Sequence, residues 1–137
     1  MLANFATAQQ IVSDIPMADS IVFTQTMGQQ NFLLDTTLTK GDPAYPTLGI
    51  NEYFDVAGIW LNTESLAEVV FECKLFGALV YQQKFADAEA ITAGEQWSTV
   101  FEFDVPGVAP PATYYISFYA NDTAGQKLWE VTTDFKF

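Results

Sequence analysis

The chain has 137 residues, half of them hydrophobic and 15% aromatic, with seventeen carboxylates against five lysines, no arginine, no histidine and a net charge of −12. That length suits one domain with a real core. The aromatic content excludes a disordered chain, and the acidic balance excludes nucleic acid as a partner, because phosphate backbones are held by cations that displace condensed counterions.

Residues 1–21 read as a short N-terminal extension, in which Ile11, Val12, Ile15 and Met17 suit a short helix or an arm clasping a neighbour. The extension lacks the basic start of a secretory signal and the arginines of a mitochondrial presequence. Residues 22–137 read as one all-β domain. Short alternating runs recur at Ile21 to Gln25, Phe32 to Thr39, Tyr53 to Leu61, Glu68 to Phe76, Leu79 to Phe85, Trp97 to Val105, Thr113 to Asn121 and Lys127 to Phe137, the cadence of a sandwich. Turn chemistry separates them. Gly41-Asp42-Pro43 with Pro46 and Gly49, Asn62-Thr63-Glu64-Ser65, Gly77, Ala93-Gly94, Pro106-Gly107 with Pro110-Pro111, and Asn121 to Gly125 all carry residues that fix φ or tolerate left-handed backbone. No apolar run reaches the roughly 18 residues of a membrane helix.

Side chains alternate across a strand, so the polar residues set the register. Glu72 and Lys74 facing water put Val69, Phe71, Cys73 and Leu75 inside; Glu102 and Asp104 outside put Phe101, Phe103 and Val105 inside. The same reasoning places Phe54, Val56, Gly58 and Trp60 on an inner row, with Tyr114, Ile116, Phe118 and Ala120, and with Trp129, Val131, Thr133, Phe135 and Phe137. Tyr53, Ile59, Leu61, Tyr115 and Tyr119 then fall on the outer face, where aromatics can form a contact surface.

Chemistry-bearing groups are sparse. The lone Cys73 can form no disulfide within the chain and reads as a small buried apolar residue, with Glu72 opposing a thiolate. Asp87, Glu89 and Glu95 are oxygen ligands of the type calcium takes, but their spacing fits no calcium loop, and they read as a solvated face of a loop. Asn121-Asp122-Thr123 is a glycosylation tripeptide, here in an expected hairpin turn. Without histidine the commonest general base and transition-metal ligand is missing, so no catalytic residue, metal or cofactor is expected.

Three segments resemble the ML, or lipid-recognition, domains. They are Leu38-Thr39-Lys40-Gly41-Asp42-Pro43 with Pro46 and Gly49; Phe54-Asp55-Val56-Ala57-Gly58; and Phe103 to Tyr114 with Asp122, Gly125, Leu128 and the closing Asp134-Phe135-Lys136-Phe137. The third is the most specific. The resemblance implies an immunoglobulin-like sandwich of two antiparallel sheets, splayed on one side to admit a sterol, acyl chain or phospholipid. It also implies up to three disulfides, at places that here read Met27, Ala88 to Ala90 in the loop after Phe85, and Trp129 or Glu130.

On this reading Phe54, Val56, Trp60, Phe71, Leu75, Phe101, Phe103, Tyr114, Ile116, Phe118, Val131 and Phe135 line the space between the sheets. The domain is then a non-enzymatic lipid-binding or lipid-transfer module, with a bound lipid or sterol as its one non-protein group. The alternative is a structural β-sandwich subunit of a larger assembly, closed or permanently lipid-filled, docking a protein through its extension and outer aromatics. The resemblance implies a secreted or endosomal compartment, whereas the lack of disulfides and of a signal peptide points to an intracellular one.

Overall fold

The computed structural model describes residues 20–137; the extension assigned to residues 1–21, apart from Ser20 and Ile21, lies outside them. Nine strands follow one another: β1 (Thr24–Met27), β2 (Phe32–Leu34), β3 (Lys40–Asp42), β4 (Asn51–Trp60), β5 (Glu64–Leu75), β6 (Ala78–Ile91), β7 (Gln96–Asp104), β8 (Thr113–Asp122) and β9 (Lys127–Lys136). One sheet runs β1-β9-β8-β5-β6; in the other, β4 pairs with β2 and β3 along one edge and with β7 along the other. Every pairing is antiparallel. The expected two-sheet sandwich is therefore the observed architecture. Among the described residues, no helix is long and apolar enough to cross a membrane.

The inner rows lie where alternation puts them. Phe54, Val56, Trp60, Phe71, Phe101, Ile116, Phe118, Trp129, Val131 and Phe135 are fully or almost fully buried, while Tyr53, Ile59, Leu61 and Tyr115 are exposed on the outer faces. Tyr119 is half-buried there: its hydroxyl donates to Glu72 Oε2 at 2.8 Å, and burial, reinforced by that acceptor, pushes its pKa up to about 12.

Several boundaries differ from the sequence reading. The run from Phe32 to Thr39 stops as a strand at Leu34, because Asp35 Oδ1 accepts from the backbone N–H groups of Thr37 and Leu38 and turns the chain. The Thr37 hydroxyl, donating to the same oxygen at 2.7 Å, and after it those backbone donors hold the Asp35 carboxyl below its ordinary pKa. Gly41-Asp42, read as part of a turn, belongs to β3, since three residues are too few to show alternation. Glu64 and Ser65 open β5 rather than closing a turn. Ala88 to Ala90 and the acidic residues Asp87 and Glu89 lie on β6, not in a loop, because this strand runs on for 14 residues under ladder hydrogen bonding that alanines and carboxylates do not advertise. Asn121 likewise sits within β8, its amide donating to Glu68 Oε2 at 2.7 Å.

Two of the places where the resemblance implied cysteines, Met27 and Glu130, stand opposite each other in the β1–β9 ladder. Side-chain hydrogen bonds lace this edge of the sandwich shut. Gln25 donates to the Phe32 carbonyl at 2.7 Å and accepts from Leu34 N at 3.0 Å, and Asn31 donates to the Leu128 carbonyl at 2.9 Å. Gly28 makes the close approach: its φ is +83°, and a Cβ there would overlap the Leu128 carbonyl oxygen. Gly28→Ala is expected to lower stability by more than about 1 kcal/mol, read as a lower urea midpoint at unchanged slope.

Candidate functional site

The interior grades from closed to open along its length. At one end Phe32, Trp60, Trp97 and Trp129 pack as a cluster, with Phe32 stacked on Trp129 at 4.7 Å between ring centroids. In the middle Phe118 meets Phe54 at 5.3 Å, Phe71 at 5.4 Å and Phe101 at 4.9 Å, which is ring-on-ring packing across the two sheets. At the other end the sheets part around a cavity of about 330 Å³.

The hairpin and a proline-rich connection build that end. Phe76 and Gly77, both at positive φ (52° and 77°), form the tight two-residue turn between β5 and β6, the geometry that matches strand twist. β5 brings Cys73 and Leu75 to the cavity and β6 brings Val80 and Tyr81. Across the gap, β7 supplies Phe103 and Asp104, and the connection to β8 supplies Pro106, Val108, Ala109 and Pro110. Tyr114 and Phe137 complete the wall. The Tyr114 hydroxyl donates to the Pro110 carbonyl at 2.8 Å, tying the connection to the strand it precedes.

The cavity opens on the side where β6 and β7, consecutive in the chain, pair with β5 and β4 but not with each other. Aromatic contacts span this side, Tyr81 on Phe103 at 5.5 Å and Phe85 on Phe101 at 5.6 Å. Trp97 Nε1 also donates to Glu89 Oε2 at 3.4 Å. Parting the sheets here breaks no ladder hydrogen bond. The opposite edge, laced by Gln25 and Asn31, stays fixed, so the sandwich has a hinge side and a loose side.

The wall is uncharged apart from Asp104 among the described residues. Burial pushes the Cys73 thiol up to about 11, leaving it neutral and apolar at ordinary pH. Glu52, the register partner of Phe103 on the inner face, is fully buried, and neither of its carboxylate oxygens has a hydrogen-bond partner among the described residues. Burial first, then the neighbouring Asp42 carboxylate, lifts its pKa from 4.5 to about 7. Asp87, on the inner row of β6, is raised to about 6 by burial and by Glu89. Among the described residues no three His, Cys, Asp or Glu side chains converge as a metal-binding group.

Of the residues expected to face a guest, Leu75, Phe103 and Tyr114 line the cavity. Phe54, Val56, Trp60, Phe71, Phe101, Ile116, Phe118, Val131 and Phe135 belong to the packed core beside and beyond it. Sequence reasoning missed Val80, Tyr81, Pro106, Val108, Ala109 and Pro110 as wall residues. Their signal was present in two runs without a charge, Leu75 to Gln83 and Val105 to Asn121. Glu52 was missed as well, although counting back by two from Phe54 places it inside.

No protein-family model and no curated protein sequence matches the chain. Among solved structures, a Niemann-Pick type C2 protein from Japanese carpenter ant superposes with a TM-score of 0.52 at 11% identity, over 85% of this chain and 93% of that one. Chicken MD-1 complexed with lipid IVa superposes with a TM-score of 0.51 at 12% identity, over 85% of this chain and 88% of that one. Both are ML-domain proteins, and the likeness establishes that this chain has their fold.

Proposed function

We propose that the domain is a non-enzymatic lipid-binding module whose guest enters between the sheets at the β5–β6 turn end. The observation that carries the reading is the cavity of about 330 Å³ with apolar walls, set on the unpaired β6/β7 side of the sandwich. Ligand sites begin near this size. Since a methylene occupies about the volume of a water molecule, roughly 30 Å³, the space takes about ten carbons of one aliphatic chain. Each methylene contributes about 0.8 kcal/mol on leaving water, against the cost of association. A longer chain or a ring system needs only the Tyr81–Phe103 and Phe85–Phe101 contacts to slide apart. The complex of chicken MD-1 with lipid IVa supports a lipid as the kind of guest this fold accepts.

The filled middle of the sandwich favours a second reading, a structural subunit whose interior needs no guest. Uptake separates the two. Delipidated protein is expected to take up one oleic acid per chain in native mass spectrometry, and Ala109→Trp, which fills the cavity from the connecting segment, is expected to reduce uptake about tenfold, the equivalent of about two lost methylene contacts. Protein that takes up neither oleic acid nor cholesterol would sink the lipid reading and leave the structural one.

A further inference from the structure

Among the runs of the chain that carry no charge are residues 43–51, 75–83 and 105–121. In a protein with seventeen carboxylates, such stretches leave the acidic groups concentrated elsewhere. The fold gathers all three around the mouth of the cavity. The second and third supply most of its wall. The first is tied to the third by Gly49 N–H donating to the Pro106 carbonyl at 3.0 Å.

Large apolar side chains in these stretches face water. Phe76 is 79% exposed and Val108 is 88% exposed, with Leu48, Ile50, Leu79 and Val80 exposed around them. Phe76 does nothing for its turn, where φ of 52° would suit Asn or Gly better. It does nothing for the core either. Pro106, Pro110 and Pro111 restrict the backbone on either side of Val108, so that side chain is held out in water by a stiff loop.

We propose that this collar docks the mouth on an uncharged lipid surface, the face of a zwitterionic bilayer, so that a chain passes between bilayer and cavity without crossing water. The proposal rests on the lipid-binding reading above. Charge decides the kind of surface. Anionic leaflets attract proteins through clustered basic residues, whereas this chain has a net charge of −12 and presents only Lys74 and Lys136 next to the wall residues Leu75 and Phe137. The same charge opposes a second copy of the chain meeting it mouth to mouth. A zwitterionic surface sets no net charge against the carboxylates, and it accepts Phe and Val below the headgroups with Tyr81 and Tyr115 at their level.

The test is flotation of the full chain with phosphatidylcholine vesicles, beside oleic acid uptake on the same samples. Wild-type protein is expected to float with phosphatidylcholine vesicles and to bind less when phosphatidylserine is added. The double variant Phe76→Ser with Leu79→Ser, both exposed and neither lining the cavity, is expected to lose about tenfold or more in vesicle binding, as two apolar side chains no longer leave water, while still taking up oleic acid. Three results would overturn the proposal: wild-type protein that takes up oleic acid yet never floats, vesicle binding unchanged in the double variant, or stronger binding with phosphatidylserine. Sedimentation showing a dimer that the double variant abolishes, with no flotation, would overturn it in favour of self-association. Flotation lost in the double variant supports docking even if oleic acid uptake is absent in every sample, a result that would instead remove the lipid-binding reading.

Discussion

Phe118→Ala is expected to destabilise the domain by about 3–5 kcal/mol, the range for deleting a buried aromatic ring. Phe118 is fully buried in the middle strand of the larger sheet and sits between Phe54, Phe71 and Phe101, with Phe23 reaching over it at 6.1 Å. The void left by the ring is enclosed by other rings held on strands of both sheets, which cannot collapse into it. Phe103→Ala is expected to cost distinctly less, because that ring already borders open space and is half-buried. Urea unfolding of the two variants side by side measures the difference, and equal costs would contradict an interior that is closed in the middle and open at the mouth.

The second large effect is a stability that falls as pH rises. Glu52 has a folded pKa of about 7 against an ordinary 4.5. A carboxyl whose pKa is raised by folding binds its proton more tightly in the folded state. Its contribution is therefore fully present below about pH 4.5 and is lost as pH climbs to about 7. The whole change is about 3 kcal/mol. Glu52→Gln keeps the shape and removes the charge, so it is expected to raise stability above neutral pH by about 2–3 kcal/mol and to remove the Glu52 share of this slope. A second slope of the same sign remains from Asp87, whose pKa is raised from 3.8 to about 6, weakened because that carboxyl is only partly buried and water screens it. Denaturation midpoints of wild type and variant from acid to alkaline pH test this; a wild-type stability that rises across that interval would contradict it.

What the sequence made legible was the layer each residue belongs to. Glu72 and Lys74 on one face and Phe71 and Cys73 on the other need only the two-residue period of a strand, and the structure follows it through β4, β5, β7, β8 and β9. Pairing was less legible, because β3 is held by its ladder to β4 and not by any pattern of its own, and because β6 carries charges on its inner row from Asp87 to Glu89. The site was the least legible part. Inner-row aromatics look alike in sequence whether they pack on each other, as Phe54 and Phe118 do, or border a gap, as Phe103 does. The difference lies in the distance between sheets. That distance is set by which strands pair, and β6 and β7 do not.

The lipid-binding proposal puts an aliphatic guest at the β5–β6 turn end and not in the middle of the sandwich. Methyl-labelled protein titrated with oleic acid and followed by NMR tests it directly. Shifts are expected at Leu75, Val80, Val108 and Ala109, with the methyls of Val56, Ile116 and Val131 unmoved. Shifts centred on Val56 and Val131, or none anywhere at saturating oleic acid, would contradict it.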